Sequence, residues 1–353
     1  MNSQAQTRAE IMAADLDHVI EHIRPLSKQL EGARIFITGG TGFIGCWLLE
    51  SLAWANEKLG LGAEALVLTR NAEAFARKAP HLAGRPDIRF QVGDVRNFAF
   101  PTGGFSHVIH AATEASETLN NNHPDVMLET TVTGTRRALD FTAQCGAKTF
   151  LLTSSGAVYG RQPSTLTHTP EDYMGGPNVS EPESAYHEGK RMSELMCAID
   201  ARKHGFEVKV TRIYALVGPY LPLDIHFAMG NFIRDALAGG PIKIKGDGTP
   251  YRSYLYAADL TIWLWTILVR GVNNRPYNVG SCKEINIAEL AEAVSRNVPG
   301  RAAIEIAQKP VPGKPAARYV PDTTRAQREL GLREWVSLDE GIRRTAQWYS
   351  QTK

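Results

Sequence analysis

Between residues 14 and 30, Leu16, Val19, Ile20, Ile23, Leu26 and Leu30 recur every three or four positions, the spacing that gathers apolar side chains on one helical face. Pro25 interrupts that pattern and removes a backbone donor, so a kink or split is expected there. Residues 1–33 read as a helical extension packing onto the body. From Arg34 the periodicity changes. Short apolar runs at Arg34–Thr38, Ala65–Leu68, Ile88–Val92, His107–His110, Thr149–Leu152 and Val208–Ile213 alternate with helical stretches. Such strands predict an α/β fold, a Rossmann-type doubly wound parallel sheet covered on both faces. After Pro219 the alternation fails. Gly239-Gly240-Pro241 and Gly246-Asp247-Gly248 punctuate shorter elements, with helices expected near 227–238, 257–269, 286–296 and 337–349. Ser337 and Glu340 give the last helix a capping-box pattern. The expected organisation is a main unit over 34–219 and a smaller C-terminal lobe over 220–353, with discontinuous boundaries. That lobe would cover the carboxyl edge of the sheet, where ligands bind in such folds.

Composition narrows the class. The 353 residues carry 39 basic and 37 acidic side chains, a net charge of +2 that gives no case for a nucleic-acid or polybasic membrane surface. The longest nearly uncharged run, Leu260 to Val269, is far short of the ~20 residues of a membrane span and reads as a buried helix. Cys46, Cys145, Cys197 and Cys282 lie far apart without a CxxC pair, which fits a reducing cytoplasm. Glu10, Asp15, Asp17 and Glu21 interrupt any signal-like apolar stretch, so a cytoplasmic location is expected. His18 and His22 stand four apart, but with no third ligand evident they are expected to be solvated rather than metal-bound.

Two constellations carry chemistry. Gly39-Gly40-Thr41-Gly42-Phe43-Ile44-Gly45 follows the first strand and opens a helix, with GxxGxxG spacing. Glycines there let the backbone approach a pyrophosphate, whose charge the helix N-terminus stabilises. The second strand ends in Leu68-Thr69-Arg70-Asn71 without the acid that usually binds an NAD ribose, so Arg70 points to NADP(H) over NAD(H). Asp94 and Val95 are placed to reach the adenine, and Ala111 and Ala112 are small enough for the cofactor to pass. The second constellation is Tyr186 and Lys190, four apart and hence on one helix face. A tyrosine is a poor base at neutral pH unless a cation stabilises its phenolate, and Lys190 supplies one. Thr153-Ser154-Ser155 puts hydroxyls at a strand end to orient a substrate oxygen. With a bound nicotinamide, this set means hydride transfer at a carbinol or carbonyl carbon.

The order of these motifs resembles the extended short-chain dehydrogenases/reductases, specifically the nucleotide-sugar epimerase/dehydratase family. The resemblance runs from about Arg34 to about residue 300. It is carried by the glycine motif, Gly93-Asp94-Val95-Arg96, His110-Ala111-Ala112, Thr153 through Gly160, Tyr186 and Lys190, and Val217-Gly218-Pro219. In the second lobe, the segments from Asn231, Gly246, Arg252 and Tyr277 look like its sugar-nucleotide segments. The resemblance implies Ser155 as the catalytic hydroxyl, Arg252 holding a nucleotide diphosphate with Asn231 in the same substrate lobe, and a homodimer through helices near 125–144 and 184–203, where Leu195, Met196 and Ile199 are apolar. A salt bridge from Arg252 to Asp247 or Asp259 is the competing structural role.

Three positions depart from the family pattern. Dehydratases of the group carry an Asp-Glu pair after the catalytic hydroxyl, and decarboxylases a glutamate, where this chain has Gly156 and Ala157. Thr131 and Ala215 stand where relatives usually have asparagine. Expulsion of a C6 hydroxyl needs an acid, and the local motif has none, so it would have to come from elsewhere, such as Glu171 or Asp172 in the following loop. The expected function is therefore redox chemistry at sugar C4, as a 4-ketoreductase or 4-epimerase. Dehydratase or UDP-glucuronate decarboxylase is the alternative, and a non-enzymatic dinucleotide sensor is more remote.

Overall fold

The computed structural model describes residues 7–113, 117–225 and 227–351. Its centre is a seven-stranded sheet built from β1 (Arg34–Thr38), β2 (Glu64–Thr69), β3 (Ile88–Val92), β4 (His107–His110), β5 (Thr149–Ser155), β6 (Glu207–Ile213) and β7 (Arg275–Val279). The spatial order is β7-β6-β5-β4-β1-β2-β3 with every pair parallel, so the six strands expected from the apolar runs are all present. The strand order reverses between β1 and β4, the position at which such folds bind ligands.

β7 comes from the C-terminal half and pairs with β6 from Arg275↔Lys209 to Val279↔Ile213. The chain thus returns to the main sheet after building part of the smaller lobe. The 220–353 stretch also forms the helix Ala257–Arg270, which packs on the central sheet, and the helices Ala228–Leu237, Ile287–Asn297 and Leu338–Ser350. In the last, Ser337 accepts the Glu340 N–H at 3.3 Å, but the Glu340 carboxylate turns to Arg343 and Arg344. Only half of the expected capping box forms, because two guanidiniums on the same helix compete for the acid.

Phe36, Phe98, Phe105 and Phe141 pack one face of the sheet. On the other, Trp47, Trp263 and Trp265 are fully buried. Their indole N–H groups donate to Pro219 O, Arg333 O and Ser51 Oγ respectively, so the two tryptophans of the 257–270 helix serve packing. Among the described residues, no helix is long and apolar enough to cross a membrane.

The extension breaks at the proline. An α-helix runs Arg8–Ile23, a 3-10 turn Arg24–Leu26 and a short helix Ser27–Leu30. Buried Asp15 accepts hydrogen bonds from Tyr256 and Arg344, which fixes the extension to the 257–270 helix and the last helix. The two histidines are not the solvated pair expected. His18 packs edge-on to His22, His22 lies 4.2 Å from the Trp335 ring, and His18 Nε2 approaches buried Asp259 Oδ1 at 3.4 Å. Glu21 brings a third potential ligand atom within 4.8 Å of both histidines. Tertiary packing of the extension places these groups, and helical spacing alone does not reveal it.

Candidate active site

The site starts where β1 and β4 end. Gly39 has a φ of +73°, and a Cβ there would lie 2.4 Å from the Ala111 backbone. Only glycine fits that crossing. A Cβ on Gly45 would meet Gly40 at 2.3 Å, which locks the helix Phe43–Leu59 against the turn. Gly42 is the N-cap of that helix and offers no side-chain cap, so the first-turn amides face outward without a protein partner in the cap. This is the donor set a pyrophosphate needs. Phe43 and Ile44 are half-buried in the same turn. Ala111 N donates to Thr38 O, and Ala112 N to Thr38 Oγ1, which holds the floor of the crevice.

Beyond β2 and β3, Asp94 binds Arg96 through both carboxylate oxygens, and these bonds hold its carboxyl below the usual range, with Arg70 adding to the effect. Arg70 itself is exposed. Val95 is buried against Gly134 and serves packing as well as lining. Lys78 donates to Thr41 O in the glycine turn at 2.9 Å, a cation beside the cofactor loop that the motif reading did not find.

β5 delivers Ser155 to the sheet's carboxyl edge, where the chain turns into the 3-10 helix Gly156–Tyr159. Ser155 Oγ accepts the Ala157 N–H at 3.1 Å and lies near enough to the Tyr186 phenol to act on its ionisation. Tyr186 and Lys190 sit one turn apart on the helix Ala185–His204, with Lys190 Nζ 5.9 Å from the tyrosine ring centre. Asn120 fixes the start of that helix by accepting the Tyr186 N–H and donating to Glu183 O. Lys190 is buried and donates to Thr113 Oγ1 at 2.9 Å and Thr153 O at 2.7 Å. Burial lowers its pKa to about 8, with Glu194 opposing the fall. Burial also pushes the Tyr186 phenol up, while the Ser155 hydroxyl pulls it down. The three residues expected to act together are therefore brought together.

Behind them lies a network. Ser154 donates to Glu194 at 2.6 Å, Glu194 accepts a forked pair of bonds from Arg212, and Arg212 donates to Tyr159, which donates to Asn278. Glu171 and Asp172, the alternative acids, are engaged elsewhere. Glu171 accepts the Asn278 N–H, and both carboxylates face Arg325.

The second lobe brings Arg252 and Tyr319 to the cleft on paired strands, in direct register. The Arg252 guanidinium donates to Tyr251 O and pairs with no carboxylate among the described residues. The expected competitors are spent: Asp247 holds Thr249, and Asp259 accepts the N–H groups of Trp335 and Val336. Asn231 is half-buried and accepts from Arg234. Tyr319, absent from the sequence reading, puts its hydroxyl 3.4 Å from Ser155 Oγ. It lies in a two-residue strand after a Pro- and Gly-rich run, which gives no periodic signal.

Comparison with known proteins fits this geometry. The family model described as "NAD dependent epimerase/dehydratase family" matches residues 35–280. The chain belongs to that family. The epimerase/dehydratase member described here is 32% identical over 310 residues to UDP-glucuronic acid decarboxylase 5 of Arabidopsis thaliana, covering 88% of this chain and 87% of the relative. Among solved structures, the dTDP-glucose 4,6-dehydratase DesIV of Streptomyces venezuelae, with NAD bound, matches with a TM-score of 0.76 and 26% identity, covering 90% of this chain and 97% of that one. The UDP-glucose 4-epimerase of Thermotoga maritima, with UDP-glucose, shares the fold at a TM-score of 0.74 and 22% identity, over 90% and 99% of the two chains. This is thus an enzyme of an NAD-dependent nucleotide-sugar family. Decarboxylation stood second to C4 epimerisation or reduction on the sequence, and the curated relatives now favour it.

Proposed function

We propose that this epimerase/dehydratase family member binds a nucleotide-diphosphate sugar and works at its C4 carbon. The observation that carries this reading is Tyr186 with buried Lys190 one turn away on the same helix and Ser155 close to the phenol, beside a glycine turn at a helix N-terminus. When bound, the nicotinamide dinucleotide supplies the hydride acceptor and donor. Gly39, Gly42, Phe43, Ile44, Gly45, Asp94, Val95, Ala111 and Ala112 would hold it, with Tyr186 and Lys190 at its reacting end. Arg70 supports NADP(H) through a cation for a 2′-phosphate, whereas NAD is bound in the DesIV structure.

Tyr186 takes the C4 hydroxyl proton as hydride leaves that carbon and gives it back on reduction. Lys190 stabilises the phenolate, and Ser155 orients the C4 oxygen. Arg252 grips the diphosphate through its planar fork, with Asn231 on the neighbouring helix lining the same lobe.

Two outcomes from the 4-keto stage have support. Gly156 and Ala157 offer no acid to expel a C6 hydroxyl, which favours simple return of hydride as in a 4-epimerase or 4-ketoreductase. The decarboxylase relatives favour UDP-glucuronate. There the C5 carboxylate lies β to the new ketone, and CO2 loss needs no hydroxyl expulsion. Incubation with UDP-glucuronate and, separately, UDP-glucose and UDP-galactose tests both. Release of CO2 and a UDP-pentose supports decarboxylation, and hexose interconversion supports epimerisation. No change in any sugar, with or without NADPH, counts against the reading.

Exposed Leu128, Met192, Leu195 and Ile199 on the helices Pro124–Cys145 and Ala185–His204 support a homodimer through these helices. Met196, also expected there, turns into the core instead. The free cysteines support the cytoplasm as the compartment.

A further inference from the structure

We propose that Tyr319 is a positioning residue that sets the direction of the Ser155 hydroxyl, aiming its proton at Tyr186. The inference rests on the reading of Tyr186 as the acid/base. A serine oxygen has one proton to give and two lone pairs. Ala157 N–H fills one lone pair of Ser155 Oγ at 3.1 Å. The Tyr319 hydroxyl lies 3.4 Å away, where either oxygen is able to donate, and in the proposed arrangement Tyr319 is the donor to the other lone pair. Once both acceptor sites are taken by donors, the serine proton has only the Tyr186 oxygen, or the sugar oxygen beside it, left to meet. At 3.4 Å the contact is longer than a tight hydroxyl bond, and catalytic hydrogen bonds often tighten in the substrate complex.

Tyr319 is built for donation. Burial drives its own ionisation far above that of an ordinary phenol, so it keeps its proton throughout the working range and cannot act as the base. Its ring leans on Tyr214, with centres 4.5 Å apart, and its backbone pairs with Arg252. The C-terminal lobe therefore carries one strand pair that joins the diphosphate-binding candidate to the hydroxyl cluster. Tyr214 in turn occupies the space beside Gly156, where a Cβ would lie 2.5 Å from its ring. Where dehydratase relatives carry acids after the hydroxyl, this chain carries an aromatic pair that supports a neutral donor.

The test is a spectroscopic titration of tyrosinate in the dinucleotide-loaded protein, with the matching Tyr186→Phe spectrum subtracted so that only Tyr186 is read. Tyr319→Phe keeps the ring on Tyr214 and removes the hydroxyl. The Tyr186 midpoint is expected to rise by about one pH unit, the size of a lost charge-assisted hydrogen bond. In a Ser155→Ala background the same change is expected to move it no further. An unmoved midpoint in Tyr319→Phe overturns the inference, and so does an equal rise without Ser155. If Tyr319→Phe does not fold, 3-fluorotyrosine at position 319 preserves shape and strengthens the donor. The midpoint should then fall, and a rise or no change is contrary. These readings need no sugar, so a protein inactive on every nucleotide sugar sinks the proposed reaction and leaves this result standing on its own.

Discussion

Gly156 and Tyr214 compete for one volume: a Cβ at residue 156 would fall 2.5 Å from the tyrosine ring, closer than any carbon contact tolerates. The position following Ser155 is therefore closed to larger side chains while Tyr214 keeps its place. Gly156→Ala must displace Tyr214, which is nearly fully buried. It should cost about 1–3 kcal/mol of stability, as overpacking does, and lower turnover by disturbing Tyr319. Thermal denaturation and steady-state kinetics of the variant check both. Gly156→Asp should gain no dehydratase activity.

Lys190 gives a prediction with opposite signs for activity and stability. Its pKa falls from 10.5 to about 8 on burial, so between those values the unfolded chain binds more protons than the folded one. Stability should rise with pH across that window, and the full penalty should be present below about pH 8. The shift corresponds to about 3 kcal/mol at neutral pH. Lys190→Met removes this penalty but leaves Thr113 Oγ1 and Thr153 O without their donor, at about 1 kcal/mol each. A net gain of about 1 kcal/mol is expected together with loss of turnover, and the pH dependence above 8 should flatten. Denaturant unfolding at pH 7 and pH 10 measures each part.

Glu194 ties the catalytic helix to β5 and β6. Its carboxylate accepts from Ser154 and Arg212, and its charge helps Lys190 keep a proton. Glu194→Gln leaves the mostly buried Arg212 cation without a counter-charge, which should cost about 3 kcal/mol. It should also lower the Lys190 pKa below about 8, so loss of activity on the alkaline side should begin at lower pH. A pH–rate profile beside an unfolding curve separates the two effects.

Arg70 is the residue on which the proposed NADP(H) preference rests. Arg70→Ala should weaken NADPH by about tenfold or more while changing NADH little, since only the former offers a 2′-phosphate to a cation. Equal losses, read by fluorescence titration, would remove Arg70 from that role and favour NAD, as in the DesIV structure.

Much of the scaffold was legible because its physics is local. Six strands announce themselves as apolar runs, Pro25 marks the break in the extension, and the glycine turn sits between a strand and a helix as spacing requires. β7 was not legible: Pro276 and Asn278 break its apolar character. The buried Asn278 is tolerated because its amide donates to Thr169 O and Asp322 O and accepts from Tyr159, partners 44 to 119 residues away in sequence. Tyr186 and Lys190 could be paired from their place on one helix face, whereas the strand end offered Thr153, Ser154 and Ser155 alike and only the family resemblance singled out Ser155. Glu194 was within reach of the same reasoning, one turn beyond Lys190. Tyr319 was not, since only the folding of the second lobe brings it to Ser155, whereas Tyr214 directly follows β6, whose Ile213 pairs with Ser155. Similarly, helix spacing could pair His18 with His22 but could not show Trp335 and Asp259 closing over them.

The most direct measurement is isotope transfer from the sugar. A UDP-sugar deuterated at C4 is mixed with the protein, the reaction is quenched early, and the released dinucleotide is weighed by mass spectrometry. Deuterium on the reduced nicotinamide, absent with Tyr186→Phe, is the predicted result. Turnover of a sugar whose C4 deuterium has exchanged into solvent, with none on the dinucleotide, would contradict hydride transfer at that carbon.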